Sequence, residues 1–268
     1  VVSVQAPANG VAAALSGVAL VAVLAGCSGS SPAPKAAPAP TPSASAAPTA
    51  SAASAASAVP TGDRTQELER LRAAVAAPAR PFSASLSLES QDDQSYLRGN
   101  GTVNVSDVQT SSMGLDVLTT GESALQINTT TTRDAVYTQV EGAAWEKHGR
   151  RPGTVLVADH RPMVQALLER GPDAYRGLEK LPGMNGGLAY HLVGELPVAQ
   201  VADGLGSTLR QRIAEHRIEQ CDTDLLVDSA GRLSRLELTC AGDGYRAASS
   251  LSLAEYGPSY DIPVPSDL

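Results

Sequence analysis

Three cysteines are the residues best suited to chemistry, and their spacing sets Cys27 apart from the pair Cys221 and Cys240. Cys27 follows Leu24-Ala25-Gly26, narrow side chains that suit a signal peptidase, and its thiolate would be a nucleophile for lipid attachment. Cys221 and Cys240 flank the run "CDTDLLVDSAGRLSRLELTC", which reads as a β-hairpin turning at Ser229-Ala230-Gly231-Arg232. Pairing Ser229 with Arg232 also pairs Leu225 with Leu236 and Cys221 with Cys240, which points to a structural disulfide. A three-residue loop with a glycine bulge shifts that register by one. Redox catalysis favours closely spaced Cys-x-x-Cys thiols, and the sequence has none.

Other reactive constellations are missing. There is no Gly-x-Ser-x-Gly, Ser-x-x-Lys, His-Glu-x-x-His or P-loop pattern. His148, His160, His191 and His216 are scattered, none with a second candidate ligand close by in sequence. Asp92-Asp93, between Gln91 and Gln94, reads as a solvated turn, and Asp222-x-Asp224 lacks the glycine of a calcium loop. The expectation is therefore a protein that is not an enzyme, with no cofactor and no metal site.

The N-terminal 60 residues explain where Cys27 goes. Nothing in residues 1–27 is charged, and Val11 to Leu24 is almost wholly apolar, too short to span a bilayer and suited to a secretory h-region. Leu24-Ala25-Gly26-Cys27 resembles a bacterial lipobox. That resemblance implies a signal peptide over 1–26 and a Cys27 carrying diacylglyceryl and palmitate chains. Two or more acyl chains hold a protein durably on a membrane where one does not. From Ser28 to Pro60 only Lys35 is charged and Val59 is the only large apolar residue, so residues 27–60 are expected to be a lipidated cysteine and a disordered linker. As a flexible coil, such a leash separates its ends by roughly 30 Å. The body it holds, 61–268, would stand on the outer face of the cell membrane, a compartment that permits disulfides. The 28 acidic and 20 basic residues leave a net charge of −8, which argues against nucleic acid and against a polybasic clamp on anionic lipid.

Within 61–268, Asp63 is placed to cap a helix carrying Leu68, Leu71 and Val75 on one face, ended by Pro78 and Pro81. "PFSASLSLES" is a period-two strand, with Phe82, Ala84, Leu86 and Leu88 on one face and serines on the other. Further strands are expected around Tyr96–Val105, Ala124–Thr131, Ala135–Val140 and Ala144–His148. The last two form a hairpin through Glu141-Gly142, in which Trp145 faces Tyr137. That aromatic pair fixes register or walls an apolar cleft. "DHRPMVQALLER" predicts a helix with Met163, Val164, Leu167 and Leu168 on its apolar face; a second helix is expected over Asp173–Lys180 and a third over Ser207–Ala214. Strands resume at Leu188–Val193 and close with the cysteine hairpin and "SLSLAEY". The fold class that follows is α+β, helices on one face of an antiparallel sheet.

The order of these pieces, with the phrases "AVYTQVEGAAWEK", "DLLVDSAGRLSRLEL" and "LSLAEYGPSYDIPVPSDL", resembles the LppX/LprG-type lipoproteins of actinobacteria, which are similar in fold to the carriers LolA and LolB. The resemblance implies a strongly curved half-barrel with helices on its concave face, holding acyl chains of a lipid or glycolipid between them for transfer or presentation. On that reading Phe82, Leu86, Leu88, Ile127, Tyr137, Trp145, Met163, Leu167 and Leu168 line the ligand space. The competing expectation is a closed core in a sensor or scaffold that binds another envelope protein.

The anchor is directly testable. Cys27→Ala should abolish metabolic lipid labelling and release the protein from the membrane fraction. An unlabelled variant that stays membrane-bound after a high-salt wash would refute the leash.

Overall fold

The computed structural model describes residues 63–151, 155–181, 187–266 and 268. The expected signal peptide and linker, with Cys27, lie outside the described residues. No helix among the described residues is long and apolar enough to cross a membrane.

Helix α1 (Arg64–Ala76) opens as expected, with the Asp63 carboxylate accepting the Thr65 N–H at 2.9 Å. Its Leu68, Leu71 and Val75 are buried. Six strands follow as a meander: β1 (Phe82–Gln91), β2 (Ser95–Val105), β3 (Thr110–Thr119), β4 (Leu125–Thr131), β5 (Ala135–Val140) and β6 (Glu146–Gly149). After a connection containing α2 (Arg161–Glu169), a second meander runs through β7 (Tyr175–Lys180), β8 (Leu188–Pro197), β9 (Gln220–Asp228), β10 (Leu233–Gly242) and β11 (Tyr245–Gly257). The short α3 (Val198–Val201) and α4 (Ser207–Glu215) lie between β8 and β9. All eleven strands form one open, curved antiparallel sheet, ordered β6-β5-β4-β3-β2-β1-β11-β10-β9-β8-β7. The fold is therefore the expected α+β half-barrel. Sheet and helices share one apolar core.

Two elements differ from expectation. β3 was not anticipated, although its Met113, Leu115 and Val117 alternate inward. Asp173–Lys180 is not a helix: Pro172–Ala174 makes a single 3₁₀ turn, and Tyr175–Lys180 pairs with β8 as an edge strand. Ladder hydrogen bonds from β8 outweigh a weak local helical preference there.

The cysteine hairpin reaches the expected register by a different route. Its loop is the three-residue Ser229–Gly231, closed by the Asp228 N–H donating to the Arg232 carbonyl at 2.9 Å. That alone would shift the pairing by one. A bulge between Leu233 and Arg235 shifts it back, so Leu225 meets Leu236 and Cys221 meets Cys240 in a buried disulfide.

Gly231 in this loop has φ +79°, and a Cβ there would stand 2.3 Å from the Ala74 carbonyl oxygen of α1. Only glycine lets the loop seat against the helix backbone. Gly231→Ala should cost about 2 kcal/mol or more, seen as a melting temperature lower by roughly 6 °C. Gly142 (φ +72°) has open space around its Cβ position, so Gly142→Ala should cost only about 1 kcal/mol.

Candidate functional site

The pleat gives the sheet two unlike faces. On the inner face one cross-strand row runs Tyr175, Leu192, Leu225, Leu236, Leu251, Leu88, Gly99, Leu115, Ile127, Val140. It touches every strand except β6 and contains no polar side chain apart from the Tyr175 hydroxyl. Residues opposite one another across a ladder share a face, so the row is a continuous apolar band. Gly99 is its one gap: a Cβ there would meet Leu115 at 2.6 Å and Leu88 at 3.0 Å, so its absence lets the leucines close over the position. The band is buried through most of its length, then surfaces at the β5 end, where Val140 is 41% exposed.

Helices α1 to α3 pack on the β7–β10 part of this band, and α4 lies over β2 and β3. Met163 and Leu167 of α2 are fully buried, and Leu167 and Met163 lie over Gly194 and Gly204 respectively. Leu168 is partly buried against the same core. The connection before α2 is held to the β2–β3 turn by Gln109. Its side-chain amide Nε2 donates to the Val157 carbonyl (2.8 Å), and its Oε1 accepts from the Leu156 and Val157 N–H groups (2.9 and 3.0 Å). Helix α1 docks at the far end of the band, where the Tyr175 hydroxyl donates to buried Glu67 Oε2 at 2.8 Å. Burial, then the Glu67 hydrogen bond, pushes the Tyr175 hydroxyl well above its usual range. A cavity of about 30 Å³ remains between α4 and the sheet, bounded by Tyr96, Leu97, Val117 and Leu209.

Helix α4 is fastened by one carboxylate. Asp92 Oδ1 accepts from the Gln94 and Ser95 N–H groups at 2.9 and 2.8 Å, and Oδ2 accepts from Arg212 Nη1 of α4 and, at 2.9 Å, from the Tyr245 hydroxyl of β11. The Asp92 side chain is fully buried, which corrects its reading as part of a solvated turn. Burial pushes its carboxyl up, but the hydrogen bonds from Arg212, Gln94, Tyr245 and Ser95 outweigh that and hold it below the usual range.

Of the residues expected to line a ligand space, Leu86, Leu88, Ile127, Met163 and Leu167 are buried in this one core, with Phe82 and Leu168 at its margin. Phe82 is stacked edge-on against Tyr256, 5.5 Å between centroids. Tyr137 and Trp145 depart from the expectation. The β5–β6 register puts Lys147, not Trp145, opposite Tyr137, because β6 begins only at Glu146 after the Glu141-Gly142 turn. Tyr137 also lies in the row with Ser85, Thr102, Ser112 and Thr130, on the outer face away from the helices. Trp145 is partly exposed in the turn itself.

The outer face holds a polar network that the sequence did not reveal. His191 Nδ1 lies 3.1 Å from Glu179 Oε2 and its Nε2 lies 3.0 Å from Asp224 Oδ2; Arg235 Nη2 donates to Asp224 Oδ1 at 3.0 Å. Burial raises the Asp224 carboxyl, but the His191 and Arg235 hydrogen bonds bring it below its usual range. The residues come from β7 to β10, and their charges answer one another across the ladder, so the network cross-ties strands. Among the described residues, no group of three or more His, Cys, Asp or Glu side chains is arranged to hold a metal.

No family model and no curated protein matches the chain. Solved structures similar to the chain include two from mycobacteria. LprF from Mycobacterium bovis is 11% identical and aligns over 75% of this chain and 96% of its own, with a TM-score of 0.42. The Mycobacterium tuberculosis lipoprotein LppX is 9% identical over 76% of this chain and 98% of its own, at 0.37. The chain is similar to both in fold. A beta-barrel-like protein from Brucella abortus is more distant, 9% identical at 0.22.

Arg212→Ala should strand the buried Asp92 carboxylate and cost about 3 kcal/mol at neutral pH, measured by chemical denaturation. Because the folded Asp92 pKa is lowered, its contribution is complete above the unfolded value of 3.8 and disappears as pH falls through the lower folded value. The stability difference between parent and variant should therefore shrink below about pH 4.

Proposed function

We propose that this chain is a lipid-anchored, extracytoplasmic, non-enzymatic protein whose folded domain holds acyl chains of a lipid or glycolipid between sheet and helices, for transfer or presentation. The observation that carries the reading is the apolar row from Tyr175 to Val140. The band runs from the buried core to the end of β5 without an intervening polar side chain and meets solvent at Val140. Leu86, Leu88 and Ile127 form the sheet wall of the proposed site, with Met163, Leu167 and Leu168 facing it from α2 and Phe82 at its margin. Exposed apolar surface contiguous with a core is where an acyl chain gains most by leaving water, at roughly 0.8 kcal/mol for each methylene buried. Among the described residues, the space of about 30 Å³ under α4 lies against β2 and β3, and α4 would have to move off those strands for a chain to enter there. The Asp92–Arg212 contact restrains that movement, since it ties α4 to the β1–β2 turn.

The lipobox, the leash and the Cys221–Cys240 disulfide support the location, because disulfides persist outside the cytoplasm.

Val140→Asp tests the reading at an exposed position where stability should change by less than about 0.5 kcal/mol. The parent protein should bind a fluorescent fatty acid with saturation, and the variant should bind it at least tenfold more weakly. A parent that takes up no acyl probe overturns the proposal in favour of the scaffold role.

A further inference from the structure

Beyond β11 the chain turns back across the outer face of the sheet, opposite the helices. Ser83 Oγ donates to the Pro258 carbonyl at 2.9 Å, Asn104 Nδ2 donates to the Tyr260 carbonyl at 2.6 Å, and the Tyr260 N–H donates to Asn104 Oδ1 at 3.2 Å. Ile262 is buried farther along. Between this C-terminal segment, the β2–β3 and β4–β5 turns and β6 lies a cleft of about 710 Å³. Tyr137 lines it with only 5% of its surface exposed, and its hydroxyl makes no hydrogen bond among the described residues. The Lys147 ammonium lies 5.9 Å from the Tyr137 ring centroid. Arg133 adds a second cation, and Asp107, Asp134 and Asp261 contribute carboxylates; all are exposed and unpaired among the described residues.

We propose that this cleft binds an uncharged, polyhydroxylated ligand of the size of a short oligosaccharide. It is a site separate from the acyl band, on the other face of the sheet. Its volume falls within the range of small-molecule sites, roughly 300–1,000 Å³. Its charges decide the class. Both signs surround one space, so a strongly anionic ligand meets three carboxylates and a cationic one meets Lys147 and Arg133. An acyl chain would desolvate all of them without returning a hydrogen bond, which is unfavourable for every group so buried. Hydroxyls donate and accept, so a ring carrying several answers carboxylates and cations together. Tyr137 adds a half-apolar surface with a polar tip, the kind of group that meets a ligand having C–H faces and O–H edges.

The test uses the full chain in a polyoxyethylene detergent, free of sugar headgroups, against an array of neutral di- to tetrasaccharides. Uronate-containing oligosaccharides and short peptides are run alongside. A subset of the neutral saccharides should bind. Asp134→Ala and Lys147→Ala, both at exposed positions, should each weaken that binding at least tenfold without lowering the melting temperature. Tyr137→Phe, which removes only the hydroxyl, should weaken it at least threefold. The proposal is overturned if no neutral saccharide binds, if uronates or peptides bind in preference, or if the three variants bind like the parent.

Discussion

Because β11 pairs with β1 in the middle of the sheet, the chain has to leave one outer edge after β6 and start again at the other with β7. Laid flat, eleven strands would put those edges roughly 48 Å apart. The connection, residues 150–174, offers roughly 14 Å of helix in α2 and at most roughly 50 Å of extended chain. A flat sheet would use about three quarters of that reach and leave little slack for packing. Curvature shortens the chord, and the slack lets α2 settle into the hollow over β8. The crossing, the curvature and the helix-filled inner face are one solution to one problem of connectivity.

That geometry also separates the two faces chemically. Inside, the crossing connection and α1 to α4 cover leucine, valine and methionine, and the polar groups admitted there are fastened individually, as Asp92 is by Arg212 and Tyr245. Outside, serine and threonine cover the β1–β5 half, and the Glu179–His191–Asp224–Arg235 network covers the β7–β10 half. One sheet can thus present an apolar band and a polar cleft back to back, with neither lining crossing the strands.

Features with a local cause were legible in the sequence. Asp63 caps the helix that begins beside it, and alternation placed Ala84, Leu86 and Leu88 on the inner face of β1. The Cys221–Cys240 pairing was also legible, although its three-residue loop and compensating bulge were not. Features with distant causes were hidden. Asp92 is buried by groups 120 and 153 positions away, and nothing in Gln91–Gln94 reports them. β7 takes its conformation from β8, and the Tyr137–Lys147 pairing depends on where β6 begins after its turn. The inner wall of the proposed acyl site was accordingly read from periodicity, while the outer cleft, assembled by a C-terminal segment folding back on distant strands, left no pattern to read.

The seam between β1 and β11 has a consequence in time. Ser83 and Pro258, bonded across the folded protein, are separated by 175 positions, so the first meander is synthesised long before the strand that completes its inner edge. Contacts so distant in the chain form slowly, and until they form β1 exposes unpaired backbone along a hydrophobic strand. A protein with this topology spends the early part of its life as an unfinished sheet, when a chaperone is most useful to it.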